Sequence, residues 1–499
     1  MNNAAPKPAI WGGLTPFGWA VAFSVVALVY RLLFCTHFDL VGDEAYYWLL
    51  SHRLDWSYFD KGPGVAWTIA LSRTFFGDTV FGIRFFAVVL SVATGWFIFL
   101  LARRLYDDRI ALGALVVTCI VPLFAVGSIL MTIDPLSVFF WATAALAFWS
   151  AQESDQIGLW LLTGALVGLG ALSKYVNLVQ IVCFIIFLVI DPPRRRQIWS
   201  GRFFAMILTT AFFCLPMVIW NAQHDWVAVR HLMERGSLDK GLHFSPVEPL
   251  VFLGLQSLVV SPILFVGILA AVFTRGNETG ARLVATQYLR TLFLPLFLMY
   301  ALLSLNKAGQ PNWTAPAYVA GIILLSARFL PRLSAAPSLR RFAIAGVVVA
   351  AAMTFMMHGF TRWLHLPPRR DPLDRARGSA DLAAKVDAAK SQTGASYIIA
   401  NTYSTASLMK FYMKGHPPAY QPDTSPRIDN QFSIWPGYFS EPRDASALLV
   451  TDRDYVPAPV KRDFENVERL ADVDAIGEGR NVGTYHLYFL SGRREAAAP

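Results

Sequence analysis

Apolar residues run through this chain in long stretches separated by short polar turns rich in arginine. A helix needs roughly 17–25 residues to cross the hydrocarbon core of a bilayer. Eleven stretches meet that need, near 14–34, 81–102, 109–128, 134–150, 157–173, 175–191, 203–220, 249–273, 288–305, 314–330 and 341–360. Lys and Arg in short loops mark the cytoplasmic side. Arg103, Arg104 and Arg109 form one group and Arg194, Arg195, Arg196 and Arg202 a second. Arg275, Arg282 and Arg290 form a third, and Arg328, Arg332, Arg340 and Arg341 a fourth. With eleven spans all four groups fall on one face together with Lys7, so that face is predicted to be cytoplasmic. One span more or less in the middle would divide them. The opposite face then receives the first loop (35–80), the turn before Asp134, the Lys174 turn, the loop 221–248, the Asn306–Trp313 turn and the tail.

The first loop is too long to be a simple connection. Glu44–Leu54 is predicted to form a short amphipathic helix lying in the interface plane, with Tyr47, Leu50 and Leu54 on one face. Trp48, Trp56 and Tyr58 suit an aromatic belt. The run Pro367–Pro372 ends the membrane part, which gives a membrane domain over 1–360 and a small α/β domain over 361–499. In that tail, helices are predicted over Ala380–Ser391 and Ser404–Lys414, and strands over Ser396–Ala400, Ala447–Thr451 and Thr484–Leu490. The fold class is therefore an α-helical polytopic membrane protein with a soluble α/β tail.

Composition agrees. Of 499 residues 55% are hydrophobic and 15% charged, against about 25% charged in soluble domains. The net charge of +9 comes from short clusters between apolar stretches, so no nucleic-acid partner is predicted. Cys35, Cys119, Cys183 and Cys214 have no metal-ligand spacing, and three lie within apolar stretches. No disulfide framework is expected. The first apolar run has no small-residue cleavage site before it and is read as a retained signal anchor.

Candidate chemistry gathers on the outer face. Asp43 and Glu44 stand side by side at a membrane boundary, where charge is costly unless it faces water or a partner. Asp43 is either a helix N-cap or a general base that takes a proton from an attacking hydroxyl. Asp134 precedes Pro135 at the mouth of the fourth span, and is either that helix's cap or a second acid of the same site. Asp60 and Lys61 form either a local ion pair or a phosphate contact, with Tyr58 lining it and Gly62-Pro63-Gly64 letting the backbone come close. Arg230 and Arg235 follow the loop Asn221–Trp226 and are either interfacial snorkels or further phosphate contacts. His224, Asp225 and His231 match no strong metal template. Lys174, Asn312 and Trp313 stand at outer span ends, where Asn312 and Trp313 suit hydrogen bonding and stacking with a sugar.

The motifs Gly42-Asp43-Glu44-x-x-Tyr47, Tyr58-Phe59-Asp60-Lys61-Gly62-Pro63 and Ile133-Asp134-Pro135 resemble the GT-C-fold glycosyltransferases. Within that superfamily the chain is similar to bacterial relatives of the protein O-mannosyltransferases. These include the aminoarabinose transferase that modifies lipid A and the rhizobial galacturonosyltransferases of lipopolysaccharide. The likeness continues through Asn221–Trp226 and Pro311–Tyr318, and in the tail through Tyr403–Gly415 and Arg427–Trp435. The resemblance implies an inner-membrane enzyme with its site and tail in the periplasm. It implies a polyprenyl-phosphate sugar as donor, a glycolipid or glycan acceptor, and inversion at the anomeric carbon. Asp43 matches the family's base, Asp134 its second acid, Lys61 the lysine on the lipid phosphate, Asp60 that lysine's neighbouring glutamate, and Tyr47 and Tyr58 two tyrosines of the motifs. No cofactor is required, because fixed cations can stabilise the leaving phosphate. Three rival readings are a protein O-glycosyltransferase, a flippase of a lipid-linked substrate and a non-catalytic scaffold. A flippase is expected to show repeats and paired broken helices near the midplane, and neither is read in the sequence.

Overall fold

The computed structural model describes residues 13–154, 156–235, 245–274, 276–358, 371, 373–424 and 427–495. Lys7, Arg275, part of the loop 221–248 and all of the run Pro367–Pro372 but Asp371 lie outside the described residues. The chain forms two compact units, each discontinuous in sequence. One holds Met1–Phe34, Lys61–Val65 and Arg84–His358, and the other Cys35–Asp60, Ala66–Ile83 and Gly359–Pro499.

Among the described residues sixteen α-helices precede the tail: α1 (Pro16–Phe34), α2 (Gly42–Ser51), α3 (Gly64–Phe76), α4 (Val80–Leu105), α5 (Asp108–Ile120), α6 (Pro122–Gly127), α7 (Ile133–Glu153), α8 (Ile157–Ser173), α9 (Val179–Ile190), α10 (Gly201–Gln223), α11 (Val227–Arg235), α12 (Glu248–Val260), α13 (Pro262–Phe273), α14 (Gly280–Leu303), α15 (Ala315–Phe329) and α16 (Pro337–Met357). All eleven predicted stretches are helical. Seven helical segments are long and apolar enough to cross a membrane alone among the described residues, or eight spans if one bent pair counts as a span. That pair corrects the stretch 249–273, because α12 and α13 meet at 109°. Ser261 sits at φ 90° at the break. Pro262 offers no N–H to a continuing helix and crowds the residue before it out of the helical region. The stretch 109–128 is interrupted in the same way between Ile120 and Pro122.

The helical unit is cemented by aromatic packing and interhelical hydrogen bonds, the forces left to helices in lipid. Phe148 of α7 stacks on Phe184 of α9 with ring centroids 3.9 Å apart. The Tyr288 hydroxyl of α14 donates to the Ala145 carbonyl at 2.6 Å.

The second unit adds α17 (Ser379–Thr393), β1 (Tyr397–Ala400), α18 (Tyr403–Tyr412), β2 (Ala419–Tyr420), β3 (Ala447–Thr451), α19 (Ala458–Asp463), β4 (Phe464–Gly477) and β5 (Arg480–Arg493). The sheet order is β2-β1-β3-β5-β4. β1 runs parallel to β2 and β3, while β5 is antiparallel to β3 and β4. Every residue of β1 and β3 is buried, as expected of strands covered on both faces. Glu478 and Gly479, both at positive φ, turn β4 into β5. A two-residue turn of that conformation matches the twist of a hairpin.

The expected interfacial helix is corrected. α2 is buried from Glu44 through Ser51, and α18 packs against it. A Cβ on Gly42 would come within 1.6 Å of Ser404 Oγ and 3.1 Å of Ser404 Cα. Trp48, expected in an aromatic belt, is 1% exposed and donates to Asp78 at 2.7 Å. The Leu40 N–H donates to the Tyr412 hydroxyl at 2.7 Å. Asp39 accepts from the backbone N–H groups of Ser379 and Ala380 at 2.9 and 3.3 Å. The N-cap position of α17 is Gly378, which has no side chain for the task. A carboxylate brought from the first loop satisfies those open donors and suits the helix dipole. Gly42→Ala is therefore expected to destabilise this unit by about 1–3 kcal/mol. Faster proteolysis of the tail would report it, and Ser404→Gly in the same chain would restore part of the loss.

Candidate active site

At the start of α7 the cap is Thr132, whose Oγ1 accepts from the Asp134 N–H at 3.3 Å. Asp134 is thus released from capping. Its Oδ1 lies 2.7 Å from Lys174 Nζ, and its Oδ2 accepts from Asn312 Nδ2 at 2.7 Å. Lys174 follows the end of α8, and Asn312 lies in the turn Pro311–Thr314 before α15. The Lys174 and Asp134 side chains are 11% and 18% exposed, so little water competes with the pair. Trp313 packs beside Tyr300 with ring centroids 5.6 Å apart.

The Lys61 turn belongs to the same unit. A Cβ on Gly62 would lie 1.9 Å from the Leu172 carbonyl oxygen and 3.3 Å from Leu172 Cα. Glycine therefore lets the turn rest on the end of α8, two residues before Lys174. Lys61, Asp134, Lys174 and Asn312, chosen separately from the sequence, come from one face of this unit. Gly62→Ala is expected to lift the turn off the end of α8 and destabilise this unit by about 1–3 kcal/mol. A lowered unfolding midpoint in detergent would report it.

In the other unit the two adjacent acids of α2 differ. Glu44 is fully buried and its carboxylate accepts from the Val41 N–H at 3.1 Å, closing the start of its own helix. Asp43 is exposed, and the Tyr403 hydroxyl donates to its Oδ1 at 2.8 Å. The N-cap position is Val41, so Asp43 is not the cap. Tyr403 packs edge-on to Tyr46 with centroids 5.0 Å apart. The Tyr46 hydroxyl accepts from the Gln431 N–H at 3.0 Å, and Gln431 Oε1 accepts from the Phe59 N–H at 2.9 Å. Burial, the nearby Asp60 carboxylate and other neighbouring acidic groups outweigh the hydrogen bond from Gln431 and push the Tyr46 phenol well above its ordinary pKa. Tyr47 is buried, 2% exposed. The Tyr58 hydroxyl donates toward the Leu50 and Arg53 carbonyls at 3.1 and 3.0 Å and holds the end of α2. Burial raises its pKa too. Asp60 is assigned to this unit and Lys61 to the other.

The loop after α10 is described only in part, up to residue 235 and again from residue 245. His224 stacks on Trp220 at 4.0 Å, with its ring nitrogen 2.8 Å from the Trp220 carbonyl. Arg230 is exposed on α11 beside exposed Val229, Leu232 and Met233, the composition of a helix lying at an interface. Arg235 ends α11, and its side chain lies outside the described residues. Sequence reasoning singled out the tail stretches containing Tyr403 and Gln431 by resemblance alone and gave them no role. Their contacts to the first loop supply one.

The helical unit and its appended α/β sheet have the GT-C fold. Among solved structures the chain is similar to ArnT from Cupriavidus metallidurans in the apo state, with a TM-score of 0.62 at 17% identity over 95% of this chain and 98% of that one. It is similar also to the same protein bound to undecaprenyl phosphate, with a TM-score of 0.59 at 18% identity over the same shares.

Sequence relatives narrow the likeness. Residues 60–220 match the family described as dolichyl-phosphate-mannose-protein mannosyltransferase. The chain is 31% identical to the lipid A galacturonosyltransferase RgtD of Rhizobium johnstonii over 57% of this chain and 60% of that protein. It is 26% identical to the undecaprenyl phosphate-alpha-4-amino-4-deoxy-L-arabinose arabinosyl transferase of Edwardsiella ictaluri, over 58% of this chain and 52% of that protein. The matches thus span between half and three-fifths of these relatives' lengths. The resemblance drawn from the three acidic motifs is borne out.

Proposed function

We propose that this chain is an inverting glycosyltransferase of the inner membrane. It moves a sugar from a polyprenyl-phosphate donor to a lipid A, lipopolysaccharide or other envelope glycan on the outer face. The observation that carries this reading is the division of labour in α2, where Glu44 is spent on the helix start and Asp43 stays exposed with a tyrosine on its carboxylate. The named relatives, which act on lipid A or use an undecaprenyl-phosphate sugar, support the same chemistry. Asp43 takes the proton of the acceptor hydroxyl. The hydroxyl oxygen bonds to the anomeric carbon from the side opposite the phosphate, the sugar–phosphate bond breaks, and polyprenyl phosphate leaves with the electron pair. Lys61 supplies fixed positive charge where negative charge grows on the phosphate, and the Asp134–Lys174 pair, neutral as a whole, supplies hydrogen bonds. This scheme requires no metal, so transfer is expected to be unchanged by EDTA.

The test incubates the purified chain in lipid with undecaprenyl-phosphate sugars and three acceptors: lipid A, a Ser/Thr-rich peptide and an envelope glycan extract. Transfer to lipid A or the glycan is the expected result. Transfer to the peptide alone would favour a protein acceptor. Donor crossing the bilayer with no transfer would overturn the enzyme reading in favour of a flippase.

A further inference from the structure

A polar cavity of about 360 Å³ lies at the end of α7 opposite Asp134, lined by Gln152, Glu153, Ser154, Trp160, Gln197 and Arg202 among others. Along the helix it is about 27 Å from Asp134 at 1.5 Å per residue. We propose that this cavity binds the phosphate headgroup of a membrane lipid that also carries a hydroxyl or ammonium group.

Four of the lining side chains each hold a buried polar atom with no partner among the described residues: Gln152 Nε2, Ser154 Oγ, Trp160 Nε1 and Gln197 Oε1. Gln152 is 5% exposed and Trp160 2%. An unmatched buried group of this kind is costly, so four together in one cavity call for an occupant. The direction of both amides is chemically fixed. The Arg194 guanidinium can only donate, and it bonds Gln152 Oε1, which leaves the Gln152 NH₂ over. Gln197 Nε2 donates to the Gln152 carbonyl at 3.0 Å, which leaves the Gln197 oxygen over.

The cavity therefore offers donors from Gln152, Ser154 and Trp160 beside the Arg202 guanidinium, a set that suits phosphate oxygens. Gln197 Oε1 and the Glu153 carboxylate accept, which suits a hydroxyl or ammonium. Glu153 also pairs with Arg104 at 3.2 Å, so its charge does not repel an anion unchecked. Apolar residues on the same helix ends are open to lipid: Ile157 and Leu161 on α8, Trp199 before α10 and Phe204 in its first turn. Acyl chains would lie there, which favours a lipid over a soluble phosphate.

The test uses the full chain, stripped of phospholipid in detergent, and native mass spectrometry. Phosphatidylglycerol, phosphatidylethanolamine, diacylglycerol of the same chains and soluble glycerol 3-phosphate are titrated separately. Trp160→Phe keeps the ring and removes the N–H, and Arg202→Gln removes the charge. The expected result is a phospholipid bound at one per chain, at least tenfold more tightly than diacylglycerol, and at least tenfold more weakly by each folded variant. Equal binding of glycerol 3-phosphate would support the phosphate site and overturn its lipid source. Binding of diacylglycerol as tight as phospholipid, or no change in either variant, would overturn the proposal and leave a cavity filled by water.

Discussion

Asp43→Asn is expected to lower kcat for sugar transfer by about 10²–10⁴-fold, the usual contribution of a positioned general base. The amide keeps the size of the side chain and can still meet the Tyr403 hydroxyl, so thermal stability should stay close to wild type. Donor binding should survive, because the donor phosphate is assigned to Lys61 in the other unit. A donor KM within a few-fold of wild type beside a collapsed kcat would identify a group that acts on the acceptor proton. Glu44→Gln is the control. Its carboxylate already accepts the Val41 N–H, so its loss should appear in stability before activity. If Asp43→Asn retains full kcat while Asp134→Asn loses it, the base moves to the other unit.

Lys174→Met is expected to be the most destabilising single change at the site. It leaves Asp134 charged, largely shielded from water and with only Asn312 and Thr132 as hydrogen-bonding side chains among the described residues. Breaking one side of a buried ion pair typically costs about 3–5 kcal/mol, while replacing both partners is far milder. The double variant Asp134→Asn with Lys174→Met should therefore recover much of the lost stability. Unfolding midpoints of the single and double variants in one detergent would measure this. Transfer should remain lost in the double variant. Full activity there would make the cluster purely architectural.

The apolar stretches were readable because a span must satisfy its backbone within itself, and every one is helical here. Hydropathy counts residues but does not see a break, so the sharp turn at Ser261-Pro262 was missed although the proline stood in the sequence. α3 was missed as well, since its 13 residues fall short of a span inside a loop read as a loop. β4 carries Val467, Leu470, Val473 and Ile476 at every third position among charges. That pattern fits no alternating strand, yet it suits an edge strand whose charges discourage pairing with other chains. Asp134 was singled out by its place at a span mouth. What separates it from a mere cap is Lys174 and Asn312, 40 and 178 residues further on, and one sequence alone carries no sign of that meeting. Tyr58 shows the converse, since a tyrosine beside a catalytic motif reads as a ligand contact until its hydroxyl is seen holding a helix end.

The carboxylate of Asp39 on the start of α17, and the seat of Ser404 against Gly42, join residues of the first loop to residues made more than 300 positions later. During synthesis α2 emerges before Tyr403, Phe411 and Phe432, the rings that pack on Tyr46 and Trp48. The nascent chain thus carries a sticky, unfinished surface while more than 300 further residues are made. A premature stop anywhere before residue 403 would leave that surface bare for good. Such fragments should be cleared by quality-control proteases rather than accumulate as inactive helical bundles.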